Sequence, residues 1–322
     1  MGEFSDDWLQ LRASADARAR ADRLLGLLPK VDQVVDLGAG TGGNLRHLAP
    51  RLPGRQDWLC VDFDATLLAL LPERTRVWAE AAGQEFAPDG DAFTLNGPDC
   101  TCRVRCQMLD LSADLDQLHL PPGALASASA LLDLVSAEWL EGLMGHAAQA
   151  RCPLLFVLTY DGRVELNPVV DGPVGDAEVI ARVNRHQRSD KGFGPALGPG
   201  ATAEAASIAR RLGYRVHHAT SDWHLGPDQA ALQRALIEGW HAAALAIGRG
   251  DEAALGDWRQ RRLAYLSEGS SRVDVGHRDL LLIPVEGDPV RDEPDGDPAH
   301  RPSEKPALQA SGSDSALPDT SA

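Results

Sequence analysis

Lysine is nearly missing from this chain of 322 residues: Lys30, Lys191 and Lys305 stand beside 28 arginines, and the 31 bases are outnumbered by 47 acids. The formal net charge of -16 removes the phosphate-neutralising field of a nucleic-acid or anionic-membrane binder, so neither partner is expected. Cysteine is sparse and odd in number (Cys60, Cys100, Cys102, Cys106, Cys152), which fits reduced thiols and not a disulfide framework. The Cys100-x-Cys102-x3-Cys106 spacing lacks the pairing and fourth ligand of a zinc site, so no metal is expected. No run reaches the roughly 18 uncharged apolar residues of a membrane span, because Asp133 and Glu138 interrupt the best candidate. The first residues, Met1 to Asp7, are acidic and carry no basic-then-apolar leader, which points to a cytoplasmic location. What is present, 43% hydrophobic and 24% charged residues, is the composition of a chain that folds around a sizeable core.

From about Glu286 to Ala322 there are six prolines, nine acids and three bases with almost no large apolar residue, so residues 286–322 read as a disordered acidic tail. Residues 1–285 read as one domain. Within them short apolar runs alternate with amphipathic segments, the pattern of a parallel sheet with helices on both faces. The Ala/Arg/Leu-rich stretch from Trp8 to Leu28 predicts an N-terminal helix, uninterrupted by proline until Pro29. Strands are expected at Gln33 to Leu37, Asp57 to Val61, Cys102 to Met108, Ala124 to Ala130, Leu154 to Thr159, Tyr214 to Thr220 and Asp279 to Val285, seven in all. Helices are expected at about Ala65 to Leu71, Glu138 to Ala150, Thr202 to Leu212 and, as a pair, between Pro227 and Ser267. Residues 165–199 are dense in Pro, Gly, Asp and Arg and predict a lid over the strand ends.

Val34-Val35-Asp36-Leu37-Gly38-Ala39-Gly40-Thr41-Gly42-Gly43 sets a glycine-rich turn between a hydrophobic strand and a helix, where backbone N–H groups can approach a ligand closely. Gly38, Gly40 and Gly43 satisfy G-x-G-x-x-G, the dinucleotide fingerprint. Asp36 argues against that reading, since a carboxylate two residues before the first glycine would sit near a pyrophosphate, whereas it suits a ligand bringing an ammonium or sulfonium to the turn.

At these residues the chain resembles the class I S-adenosylmethionine-dependent methyltransferases, whose first motif is matched through Asp36, Gly38, Gly40 and Gly42, with Ala39 and Thr41 inside the same turn. The resemblance implies a seven-stranded Rossmann-like doubly wound sheet, mostly parallel with an antiparallel last strand, an N-terminal helix and a cap after the fifth strand. It covers most of residues 30 to 285, with the cofactor held in the half spanning 30–160. It further implies that Asp62, followed by Phe63, takes the ribose hydroxyls. Asp110 and Leu111 would hold the adenine, and Ser129 with the segment to Asp133 would line the methyl-transfer point. The strings Trp8 to Arg12, Leu131 to Ser136 and His186 to Gly194 look like a bacterial subgroup of these enzymes and bring no acceptor with them.

Methyl transfer from a sulfonium is a direct displacement, so the protein must chiefly align acceptor and methyl carbon in a dry site. A hydroxyl or protonated amine would also need a general base, for which Asp133, His186, Asp190 and Tyr160 are the candidates. The basic cluster Arg185, Arg188 and Lys191 in an acidic chain suggests a site for the carboxylate or phosphate of a small anionic acceptor. Asn167-Pro168-Val169-Val170 lacks the second proline and the aromatic of a nucleic-acid aminomethyltransferase, and Cys152-Pro153 falls at the fifth strand instead of after the fourth, where a cytosine enzyme would place it. Two other classes remain: a non-catalytic S-adenosylmethionine-binding regulator, and an NAD-dependent oxidoreductase, which Asp36 disfavours.

Overall fold

The computed structural model describes residues 5–172, 174–248 and 250–285. The stretch read as an acidic tail, 286–322, lies outside the described residues.

Five parallel strands form the centre of a ten-stranded sheet. Strand β1 (Gln33–Leu37) pairs with β2 (Gly54–Asp62) on one side and with β6 (Leu125–Ser129) on the other. Beyond β2 lies β5 (Cys100–Met108), and beyond β6 lies β7 (Leu154–Asn167), all parallel. The chain therefore runs outward from β1 in both directions, and the crevice at the carboxyl ends of β1 and β6 is the switch point where a doubly wound sheet takes its ligand. On the far side β10 (Arg272–Pro284) pairs antiparallel with both β7 and β8 (Tyr214–Thr220). Three strands exceed the expected seven. β3 (Glu85–Asp89) and β4 (Ala92–Asn96) form a hairpin on the edge of β5, and the short β9 (Trp223–Leu225) pairs with β10. Their alternating residues are few, and the Asp89-Gly90-Asp91 turn has no long apolar run on either side, so the pattern was faint in the sequence.

Helices cover both faces. Helices α4 (Ala137–Gln149) and α6 (Ala201–Arg211) pack on one through Trp139, Leu140, Leu143, Ile208 and their neighbours. Helices α2 (Gly43–Leu48) and α3 (Ala65–Ala81) pack on the other through Leu45, Leu48 and Leu71. A third cluster joins α5 (Asp176–His186), α7 (Ala230–Ile247), α8 (Glu252–Ser267) and the N-terminal helix α1 (Asp6–Ala19) around Trp223, Trp240 and Trp258. It forms on the far halves of β7 and β10, which pair from Tyr160/His277 to Asn167/Arg272 beyond the neighbouring strands. That ribbon raises a wall above the carboxyl edge of the sheet, and the segment expected as a lid is largely this wall: β7 continues to Asn167 and α5 follows.

Helix α1 stops earlier than the sequence predicts. Ser5 caps it through Trp8 N–H, but Arg20 leaves the helical conformation at ψ 137°. No glycine or proline marks the break. Tertiary bonds make it: the Ala21 N–H goes to Asp279 Oδ2 at 2.8 Å instead of to a helical carbonyl, and the Arg20 guanidinium turns to Asn44 and Ser129.

Candidate functional site

A cavity of about 840 Å³ opens at the switch point. Its floor is the glycine turn after β1, its sides are the ends of β2 and β6, and its roof is α1 with the stretch 186–193 that follows α5. The volume lies in the range of ligand sites and leaves room for two small molecules side by side.

The turn adopts a conformation that glycine alone enters without strain. Gly42 has φ +82°, and a Cβ there would stand 2.9 Å from Leu71 Cγ; Gly40 has φ +52° and lies under Leu9 of α1. Ala130, at the end of β6, holds φ +53° with a side chain, bound by its N–H to the Val157 carbonyl at 2.9 Å. A residue so held beside a cavity marks backbone positioned by its surroundings.

Two carboxylates brace the turn. Asp62 Oδ2 accepts the Gly40 N–H at 2.7 Å and its Oδ1 accepts the Asp64 N–H at 3.0 Å, which ties the end of β2 to the turn while the side chain remains on the cavity lining. Asp36 is wholly buried behind the turn. Asn44 Nδ2 donates to its Oδ1 at 2.6 Å, and its Oδ2 has no partner. Burial pushes Asp36 up to about 7 against the pull of the Asn44 bond and of Arg20.

Of the residues singled out by sequence, the structure gathers Gly38, Ala39, Gly40, Thr41, Asp62, Phe63, Leu111, Ser129, His186, Asp190 and Lys191 on this one lining. Gly42 and Asp36 lie directly behind it. Others fall elsewhere. Asp110 is exposed and turns its Oδ1 back to the Ser112 N–H and hydroxyl at 2.9 and 2.6 Å, while Leu109 and Leu111 on either side face the cavity. Asp133 is buried outside the lining with Oδ1 unpartnered and is raised to about 6 by burial. Tyr160 is nearly buried in the third cluster and donates to Asn184 Oδ1 at 2.7 Å. Arg185 and Arg188 are exposed and do not line the cavity. Helical phase explains the last point: Arg185 and His186 are successive residues at the end of α5, and only His186 faces inward.

Lys191 Nζ donates to Ser189 Oγ at 2.9 Å and approaches His186 Nδ1 at 3.5 Å. Burial and the Lys191 charge lower the His186 pKa, which favours the neutral imidazole. Asp190 Oδ1 accepts the N–H groups of Gly192 and Gly194 at 2.7 and 3.1 Å, which folds the loop and directs Phe193 onto Trp139 and the cavity.

Sequence reading missed the contribution of α1 and α2. Arg12, Asp16, Arg20, Asn44, Arg46 and His47 all line the cavity. Arg12 is bound to Asp16 at 2.8 Å and lies over the Trp223 ring, whereas Arg20 and Arg46 have no carboxylate within 4.0 Å among the described residues. Arg12, Asp16 and Arg20 recur at i to i+4 but alternate with Ser14 and Arg18, so the sequence carried little signal for this face. Among the described residues no group of three or more His, Cys, Asp or Glu side chains gathers as for a metal, and no helix is long and apolar enough to cross a membrane.

No family model and no curated protein matches the sequence. Solved structures with a similar arrangement include a cyclopropane-fatty-acyl-phospholipid synthase-like protein from Lactobacillus casei, 14% identical, covering 87% of this chain and 94% of that one at a TM-score of 0.48. The YcgJ protein from Bacillus subtilis is 14% identical and covers 83% of this chain and 100% of its own, at a TM-score of 0.43. Phosphoethanolamine N-methyltransferase 2 from Haemonchus contortus, solved with S-adenosyl-L-methionine, is 14% identical over 88% of this chain and 58% of its own, at a TM-score of 0.40.

Proposed function

We propose that the protein is an S-adenosylmethionine-dependent methyltransferase acting on a small anionic acceptor. One observation carries the reading. The glycine turn is flanked by two carboxylates, Asp62 on the lining and Asp36 behind it with an unpartnered oxygen, so the turn favours positive charge and would repel a pyrophosphate. S-adenosylmethionine supplies, when bound, a sulfonium whose methyl group is open to direct displacement.

The chain's own residues then divide the work. Asp62, with each oxygen already accepting one N–H, keeps lone pairs for a vicinal diol. Asp36, behind the wall, contributes negative charge to the extent that it ionises, and a cation at the turn favours that ionised form. Phe63, Leu109 and Leu111 offer apolar surface for a flat base, and Leu131, Leu134 and Phe193 keep water from the transfer point. Lys191 and Arg46 offer donors to an anionic acceptor. His186 and Asp190 are the two candidates for proton transfer on the lining, and the lowered pKa of His186 favours the neutral imidazole that a general base requires.

Calorimetric titration with S-adenosylmethionine, S-adenosylhomocysteine and NADH tests this. Micromolar binding of the first two, lost in Asp62→Ala, is expected. Binding of NADH in their place, or of none of the three, would overturn it.

A further inference from the structure

We infer that Arg20, at the break after the N-terminal helix, anchors the α-carboxylate of the bound cofactor and, opposed to Asp36 across Asn44, makes the site selective for adenosine ligands that carry an amino acid. The inference rests on the cofactor reading proposed above, and it assigns a role to a residue far from the glycine motif.

The first support is a charge without a counterion. Arg20 lines the cavity, yet no carboxylate lies within 4.0 Å of its guanidinium among the described residues. Its Nη1 donates to Asn44 Oδ1 at 2.5 Å and its Nη2 to Ser129 Oγ at 3.0 Å, while Nε is shielded and has no partner. A guanidinium has five N–H groups, and two given to neutral oxygens leave hydrogens on both η nitrogens for a ligand. Burying an unpaired cation is costly, so a site that does so is set to receive an anion.

The acids nearest in charge are each engaged elsewhere. Asp16 holds Arg12 Nε at 2.8 Å and Trp223 Nε1 at 3.1 Å. Asp279 takes the N–H groups of Ala21 and Leu158, both at 2.8 Å. Asp36 takes Asn44. None can swing to Arg20 without giving up a buried bond.

The second support is the arrangement around Asn44. Its Oδ1 accepts from Arg20 while its Nδ2 donates to Asp36 and, at 2.9 Å, to Ser127 Oγ, so one rigid amide keeps a positive and a negative pole apart at the end of β1 and β6. A zwitterionic amino acid complements that pair in one orientation, carboxylate to Arg20 and ammonium towards the turn in front of Asp36. Ala21 N–H on Asp279 fixes the backbone that delivers Arg20, so the anchor is preformed.

The test compares S-adenosylhomocysteine with 5′-methylthioadenosine, the same adenosine thioether without the amino acid, on wild type, Arg20→Met and Arg20→Lys, by calorimetry and thermal melting. Wild type is expected to prefer S-adenosylhomocysteine by about a hundredfold. Arg20→Met should lose at least about tenfold on that ligand and stay within about twofold on methylthioadenosine, with Arg20→Lys between. The unliganded Arg20→Met protein loses the donor to buried Asn44 Oδ1 and is expected to melt somewhat lower, so retained methylthioadenosine binding is the measure that the site is still folded. Unchanged binding of S-adenosylhomocysteine to Arg20→Met, or equal loss of both ligands, would overturn the assignment. A wild type that binds neither thioether overturns the cofactor reading itself and this inference with it.

Discussion

Asp36 is wholly buried behind the glycine turn, with Asn44 on one oxygen and no partner for the other. The consequence is a proton. With the pKa held up to about 7 by burial, the neutral carboxyl favours the unliganded fold below the ordinary carboxylate range, and that contribution is lost as pH rises through 7. A cationic ligand at the turn favours the carboxylate instead. Binding of S-adenosylmethionine should therefore release part of a proton, more at pH 6 than at pH 7. Asn44, Arg20 and Asp62 are the groups that face Asp36, and of these Asp62 is also raised by burial, so Asp36→Asn is the control. Calorimetry in buffers of different ionisation enthalpy reads the number, and a release that survives Asp36→Asn would assign the proton elsewhere. Asp110 is the converse case at this scale. Its position after the third strand is legible, yet its side chain is taken by the Ser112 turn two residues on, a local competition that strand periodicity does not report.

Elements were legible where one face is apolar and the ends carry their own signals. β1 occupies the expected Gln33–Leu37 and β8 the expected Tyr214–Thr220, and α4 and α6 lie within one residue of the expected bounds at each end. Ends set by tertiary contacts were not. Helix α1 breaks at Arg20 through Asp279 and Asn44, and β7 and β10 run on past their apolar cores because each is the other's partner. The same logic places α5. Asp176 at its first turn accepts from Arg262 Nε and Nη2, from the Trp258 indole N–H at 2.8 Å and from the Val170 N–H at 2.8 Å, and Arg262 Nη1 donates to the Pro168 carbonyl at 2.7 Å. Arg262 is fully buried on α8, so this pair pins the start of α5, whose far end delivers His186 to the cavity. Asp176→Ala would leave the guanidinium buried with one carbonyl, and should cost about 3–5 kcal/mol in denaturant unfolding. A cost below about 1 kcal/mol would show that α5 is held by its apolar face, Val179, Ile180 and Val183, and not by the ion pair.

At the scale of the molecule, the sheet's central order follows from alternating strands and helices, while the cavity draws on four separate chain segments, the first and last of them more than 100 residues apart: α1, the glycine turn, the end of β6 and the stretch 186–193. Composition marked residues 165–199 as a stretch over the strand ends, of which 186–193 reach the cavity, but not that α1 shares the roof, because its polar residues are interpretable only once Asn44 and Ser129 are placed beside them. This closure by two remote segments has a measurable signature. The lining segments border the cavity directly, whereas the β3–β4 hairpin and the α7–α8 pair contribute no lining residue. Hydrogen exchange with S-adenosylhomocysteine present should therefore slow the amides of Leu9 to Ala21 as well as those of Gly38 to Asn44, with little change in Glu85 to Asn96 or Glu252 to Ser267. Because Arg20 is the contact that carries the ligand's pull into α1, the protection of Leu9 to Ala21 should fall in Arg20→Met while that of the glycine turn persists. Slowing confined to Gly38 to Asn44 in wild type would mean that α1 is a fixed wall of the fold with no share in holding the ligand, and equal slowing across the hairpin and α7–α8 would mean that the ligand stabilises the whole unit through the sheet alone.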